Sequence, residues 1–155
     1  MNMRNHIVKI LSTFFYVGYL PLMPGTFASI VGVSLFYLIK DSIFIHALFT
    51  LSFILLGLLV STKAEKIFKQ KDAKCIVIDE ISGMLLALLF IPYDIRWLII
   101  AFVLFRILDA LKPYPADRFQ ALSGGIGIMS DDIIAGLYTN IILQFVLRLA
   151  SFKTS

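Results

Sequence analysis

The sequence predicts an all-α, polytopic helical membrane bundle, with about four spanning helices and an N-terminal interfacial or re-entrant segment. Three observations predict it. Hydrophobic residues make up 59% of the 155 residues and charged residues 15%, against about 45–50% and about 25% in soluble domains. The mean hydropathy is +0.91. The apolar residues gather in runs close to the roughly 20 residues that cross a bilayer, and most charges fall between the runs. The length suits one domain, 1–155.

The first third is irregular. Ile10 to Met23 and Phe27 to Ile39 are both apolar, but Pro21 and Pro24-Gly25 separate them. Proline breaks a helix and turns the preceding residue away from α. Each piece makes only about 20 Å of helix. The first therefore reads as the interfacial or re-entrant segment, and the second as a short or tilted span starting near Thr26. Arg4 and Lys9 ahead of an apolar stretch have some look of a signal peptide, but no small-x-small site follows, so the segment reads as mature protein.

Four stronger runs follow. Ile43 to Thr62 carries no formal charge and only His46 as a titratable group. Ile76 to Ile91 is interrupted only by Asp79 and Glu80. Ile95 to Leu111 carries Arg96 at its start and Arg106 and Asp109 near its end. Ile133 to Ala150 is preceded by Asp131 and Asp132. Between the first two lies KAEKIFKQKDAK, Lys63 to Lys74, with five lysines against two acids. It reads as a helical extension at an interface, with its last half equally well a solvated loop. Lysine-rich short loops stay on the cytoplasmic side. Alternating the runs from there puts Thr26, Asp79, Glu80, Asp109, Lys112, Asp131 and Asp132 all at the cytoplasmic face.

The net charge of +4 follows from this topology, since the aromatic residues sit in the apolar runs and are not interleaved with basic ones as a nucleic-acid surface requires. Cys75, the single cysteine, can form neither an internal disulfide nor a metal-binding CxxC pair.

An ionisable residue inside a spanning segment is costly and marks a functional site. Asp79 and Glu80, in IVIDEISGML, are the strongest case. Gly83, three residues on, allows a neighbouring helix to approach. Arg106 and Asp109 share a helix face at i, i+3, and Lys112 continues it before Pro113. In SGGIGIMSDD, Ser123 to Asp132, glycines permit backbone approach to a ligand, and Ser130 or Asp131 can cap the following helix. Thr26, after Pro24-Gly25, would cap a helix whose N–H groups form an anion site. Five acids in one site require cations. Carboxylates are hard ligands suited to Mg²⁺, whose shell substrate phosphate completes. His6 and His46 lie away from the acids, so neither zinc nor a histidine nucleophile is indicated. Acids, Mg²⁺ and Arg/Lys together suit attack on a phosphate ester. A small transporter or ion-coupled channel using the intramembrane acids is the alternative, although the acids sit at one end and not at the midplane.

The stretches PGTFAS (Pro24 to Ser29), IVIDEISGM (Ile76 to Met84), FRILDALKPYP (Phe105 to Pro115) and GGIGIMSDDIIAG (Gly124 to Gly136) resemble the phosphatidylglycerophosphatase A family in order and spacing. The resemblance covers nearly the whole chain. It implies a Mg²⁺-dependent phosphatase of the bacterial cytoplasmic membrane, multi-pass, with its active site facing the cytoplasm. The implied substrate is the phospholipid phosphatidylglycerophosphate, cleaved to phosphatidylglycerol and phosphate. Carried onto this sequence, Asp79, Glu80, Asp109, Asp131 and Asp132 are the motif acids, with Arg106 and Lys112 as basic partners. The expected division of labour has Asp79, Asp131 and Asp132 on the metal and Glu80 or Asp109 activating water. Arg106, Lys112 and amides near Thr26 or Gly125 then hold the phosphate.

Overall fold

The computed structural model describes residues 3–70 and 72–153, and they are all helical or irregular. Seven helices run in order: α1 (Met3–Ser12), α2 (Pro24–Ile39), α3 (Ile43–Phe68), α4 (Ile78–Ala87), α5 (Ile95–Leu111), α6 (Ala116–Gln120) and α7 (Gly124–Lys153). Two of them, Ile43–Phe68 and Gly124–Ala150, are long and apolar enough to cross a membrane. Helices α2 and α5, with 16 and 17 residues, reach about 24–26 Å.

The bundle is built around α4. Ile81, Met84, Leu85 and Leu88 are fully enclosed, and α2, α3, α5 and α7 all pack against this helix. Its neighbours present small residues to it. On α2 the buried positions are Gly25, Ala28, Ser29, Gly32 and Phe36, a helical stripe in which a Cβ on Gly32 would lie 2.8 Å from the Met84 Cβ. On α7 the stripe is Ile128, Asp132, Ala135, Thr139 and Leu143. Where α4 crosses α7, Gly83 and Gly136 meet backbone to backbone. Small residues of this kind let membrane helices approach closely. The outer faces are apolar, with Leu38, Phe44, Leu59 and Phe145 exposed, as a lipid-facing surface requires.

The apolar run Ile76 to Ile91 is thus not a uniform span. Only ten residues of it form a helix, about 15 Å long, and the rest is loop and turn. Backbone carbonyls left open at membrane depth must find donors inside the protein. They do so here. His46 Nε2 on α3 donates to the Leu85 carbonyl at 3.0 Å. Asn140 Nδ2 on α7 reaches the Ala87 and Leu89 carbonyls at 3.1 and 2.6 Å. The helix is apolar on nearly every side because protein encloses it on nearly every side, and only Phe90, in the turn beyond it, is exposed.

Two further boundaries differ from the sequence reading. The N-terminal segment is a helix that ends at Ser12, followed by an irregular turn in which Phe14, Phe15, Tyr16, Leu22 and Met23 have positive φ. Helix α1 packs along α3, and Phe15, Tyr19 and Leu22 project outward from the turn. Helix α7 begins at Gly124, so Ser123 to Asp132 is no glycine loop. Asp131 and Asp132 lie about two turns inside the helix, and neither Ser130 nor Asp131 caps it. The lysine-rich stretch continues α3 as far as Phe68 and then leaves the helix.

Candidate active site

Alternation of α2, α3, α4, α5 and α7 brings the N-termini of α2 and α4, the C-terminus of α5 and the first turns of α7 to one end of the bundle. A cavity of about 290 Å³ opens there, lined by Asp79 and Glu80 of α4, Arg106 and Asp109 of α5, Lys112 beyond it, and Asp131 and Asp132 of α7. These are seven of the residues the sequence nominated. Asp79, Asp131 and Asp132 are 4–5% exposed, so the carboxylates are withdrawn from bulk water.

The acids form two overlapping groups. Carboxylate oxygens of Asp79, Glu80 and Asp132 all lie within 4.8 Å of one another, as do those of Asp109, Asp131 and Asp132. Asp132 belongs to both. The helix crossing sets this spacing: Gly83 follows Asp79 by one turn and Gly136 follows Asp132 by one turn. The backbone contact of the two glycines holds the acids just above it.

Both site cations of the FRILDALK stretch are engaged. Arg106 Nη1 donates to Asp109 Oδ2 at 2.8 Å, and Lys112 Nζ to Asp131 Oδ2 at 2.6 Å. Burial alone would favour the neutral amine of Lys112, but the surrounding carboxylates, Asp131 first and then Asp72 and Asp109, together outweigh it and hold the ammonium pKa above its ordinary value. Four enclosed carboxylate oxygens remain without any donor: Asp79 Oδ1, Glu80 Oε2, Asp131 Oδ1 and Asp132 Oδ1. Unsatisfied buried carboxylate oxygens are strongly unfavourable. The lining, counted over all its residues, holds six acids against three bases, a formal deficit of three positive charges. Hard, oxygen-only donors with open lone pairs and excess negative charge are what Mg²⁺ takes. The residues present therefore fit this ion.

Two nominated residues stand elsewhere. Gly125 does not line the cavity. Its N–H donates to Thr62 Oγ1 at 2.8 Å, and it lies against the Leu58 carbonyl of α3, so it is a packing contact between long helices with no amide left for phosphate. Thr26 does not cap α2. The N-cap is Met23, with φ 75°, and Pro24 occupies the first helical position, where its fixed φ is already helical. The Thr26 N–H is taken by the Met23 carbonyl. Its Oγ1 is enclosed and without a partner, but the residue lies behind the cavity wall.

The wall is made by its neighbour Gly25. A Cβ there would overlap Glu80 Oε1 and stand 3.4 Å from Arg106 Nη1, so a side chain at this position would push the Glu80 carboxylate aside. The residue stood inside the PGTFAS stretch, but its distance from Glu80 in sequence hid its function. Asp72 and Lys74 also line the cavity. They come from the lysine-rich loop, whose composition indicated a side of the membrane and not a site. Cys75 is turned away. Burial pushes its thiol pKa up, which suits an inert side chain.

The sequence itself is similar to known proteins. The family profile for phosphatidylglycerophosphatase A matches residues 10–147. The chain is 35% identical over 140 residues to phosphatidylglycerophosphatase A of Escherichia coli K12, covering 88% of this chain and 81% of the relative. It is 36% identical over 142 residues to phosphatidylglycerophosphatase A of Haemophilus influenzae, covering 88% and 86%. It is also 33% identical over 152 residues to a Bacteroides thetaiotaomicron protein provisionally named phosphatidylinositol-3-phosphatase, covering 92% and 95%. No solved structure matches the chain.

Proposed function

The chain belongs to the phosphatidylglycerophosphatase A family, and we propose that it hydrolyses the terminal phosphate of phosphatidylglycerophosphate to give phosphatidylglycerol and inorganic phosphate. The observation that carries this reading is the enclosed carboxylate cluster flanked by Arg106 and Lys112 at the end of an apolar bundle. A lipid lying in the bilayer presents its phosphate at that depth.

Asp79 and Asp131 fall in different carboxylate groups that share Asp132, so Asp79 with Asp132, and Asp131 with Asp132, would hold Mg²⁺. The metal supplies Lewis-acid stabilisation of the phosphoryl oxygens and lowers the pKa of water. The chain supplies the rest. Arg106 and Lys112 attract the dianionic monoester while their carboxylate partners fix their positions. Glu80 keeps an open buried oxygen, Oε2, whereas one oxygen of Asp109 is tied to Arg106. Glu80 is therefore the better acceptor for the proton of an attacking water. Attack forms the new P–O bond, the P–O bond to glycerol breaks, and the departing alkoxide takes up, through solvent in the cavity, the proton that Glu80 releases. No covalent enzyme intermediate is required.

In this reading α2, α3, α5 and α7 cross the bacterial cytoplasmic membrane, with α4 enclosed among them. The lysines of 63–74 keep the site on the cytoplasmic side. The test is phosphate release from phosphatidylglycerophosphate, with and without Mg²⁺, by the wild type and Asp79→Asn. Release by the wild type alone is expected. No release with any divalent metal would overturn the reading. The Bacteroides relative motivates a second substrate, phosphatidylinositol 3-phosphate, and the same assay ranks the two by kcat/KM.

A further inference from the structure

Lipids of both kinds carry two phosphates: the terminal monoester that is cleaved, and the phosphodiester that joins the headgroup to diacylglycerol. The two cations engaged at the carboxylate cluster account for the first. We propose that Lys74 binds the second, and so selects lipids whose monoester is carried on a phosphodiester headgroup. The inference rests on the lipid-phosphatase reading above.

Lys74 lines the same cavity as the carboxylates but is exposed at its mouth. Among the described residues it forms no ion pair, unlike Arg106 and Lys112. Its amine is therefore available to an incoming anion.

The loop that carries it is held on every side. Ala73 and Ile76 on either flank are buried, and the Ile76 N–H donates to the Ala73 carbonyl at 2.7 Å. The Val77 N–H donates to the Ser12 carbonyl of α1 at 2.9 Å. Gln120 of α6 donates to Asp72 at 3.2 Å. The backbone of Cys75 rests on Gly18, where any Cβ would collide with it. Lys74 is the exposed residue in a short stretch whose other members are anchored, and Asp79 follows five residues later. The N-terminal helix and turn thereby gain a purpose: they clamp this loop over the site.

A flexible solvated lysine would add nothing measurable, whereas a positioned one contacting a phosphodiester contributes a charge-assisted hydrogen bond, about tenfold in affinity. The diester is unchanged by the reaction, so the contact is equal in ground and transition states, and its loss falls on KM. The experiment uses the full chain in detergent micelles. KM and kcat are measured for phosphatidylglycerophosphate and phosphatidylinositol 3-phosphate, with Ki for two products: short-chain phosphatidylglycerol, which has only the diester, and inorganic phosphate.

Lys74→Gln is expected to raise KM about tenfold for whichever lipid the wild type cleaves. It should raise Ki for phosphatidylglycerol equally and leave Ki for inorganic phosphate within about twofold. Lys74→Arg should restore both lipid constants. An unchanged KM, a loss confined to kcat, or both Ki values moving together would each overturn the inference. A wild type inert toward both lipids would instead remove the underlying reading, an outcome that no Lys74 variant can imitate.

Discussion

Gly83→Ala adds one methyl group at the crossing of α4 and α7. Its Cβ would lie 2.6 Å from the Asp132 carbonyl oxygen and 2.8 and 2.9 Å from the Phe105 ring atoms Cε2 and Cζ. Comfortable contact needs about 3.5 Å. Phe105 is fully buried and cannot swing away, and the carbonyl is helix backbone. The helices must therefore part by close to 1 Å, which moves Asp79 and Glu80 away from Asp132. Overpacking of this size costs about 1–3 kcal/mol of stability, and a 1 Å displacement of reacting groups costs about 10²-fold in rate. The expected result is a folded, somewhat less stable protein releasing phosphate about 100-fold more slowly. Gly57→Ala is the matched control. Its Cβ would meet the Met129 Cε and Sδ at 2.5 and 2.6 Å, but a thioether end can turn aside, and activity should fall less than about threefold. The assay is phosphate release in micelles beside thermal unfolding of each variant. Gly83→Ala keeping more than half of wild-type activity, or Gly57→Ala losing as much as Gly83→Ala, would refute the argument that this crossing sets the site.

Asp132→Asn should cause the largest loss of any single acid, about 10³-fold in kcat, because both carboxylate groups share this residue; Asp109→Asn retaining less activity than Asp132→Asn would contradict that ranking. Chelation should abolish phosphate release and Mg²⁺ restore it. Saturating Mg²⁺ at about 100 times its Kd should also stabilise the wild type by about 2.7 kcal/mol, with the gain absent in Asp132→Asn; equal thermal shifts in both proteins would place the ion elsewhere. Glu80→Gln should keep metal-dependent stabilisation in part but lose about 10²–10⁴-fold in kcat as the proton acceptor is removed; full activity would transfer that function to another acid. Asn140→Ala should lower stability by about 1–3 kcal/mol as the Ala87 and Leu89 carbonyls at the end of α4 lose their donor, while kcat per folded molecule stays near wild type. A catalytic defect without a stability defect would show that Asn140 acts on the site directly.

The acids were legible in the sequence because charge inside apolar sequence is rare enough to stand out residue by residue. Their convergence was legible too, since alternation along the chain fixes which ends of successive helices meet. What the sequence concealed was depth. An apolar run reads the same whether lipid or protein surrounds it, so Ile76 to Ile91 looked like a span and is a half-length helix enclosed by four others. The donors that make this tolerable, His46 and Asn140, lie far away on α3 and α7, and neither spacing nor composition connects them to the α4 carbonyls. Glycine was ambiguous for a related reason. GGIG can cradle an anion or pack a helix, and only the positions of Leu58 and Thr62 decide that Gly125 packs. Gly25 shows the reverse: an ordinary glycine beside a helix-starting proline, whose importance lies entirely in the Glu80 and Arg106 side chains it faces.

The short length of α4 is itself part of the chemistry. A full span would carry its first turn out into the headgroup region, where carboxylates are hydrated and cations are screened. Stopping the helix after ten residues and satisfying its far end with His46 and Asn140 lets the first turn sit within the bundle, where Asp79 is almost wholly buried. The acids are then held apart from water but together with each other, an arrangement that the proposed metal would stabilise. The positive end of the α4 dipole adds a fixed contribution in the same sense. On the proposed reading the carboxylates that would hold the metal are the ones that frame phosphate attack, and Gly83, at the crossing that spaces them, is a residue where both would be disturbed without touching any charged group.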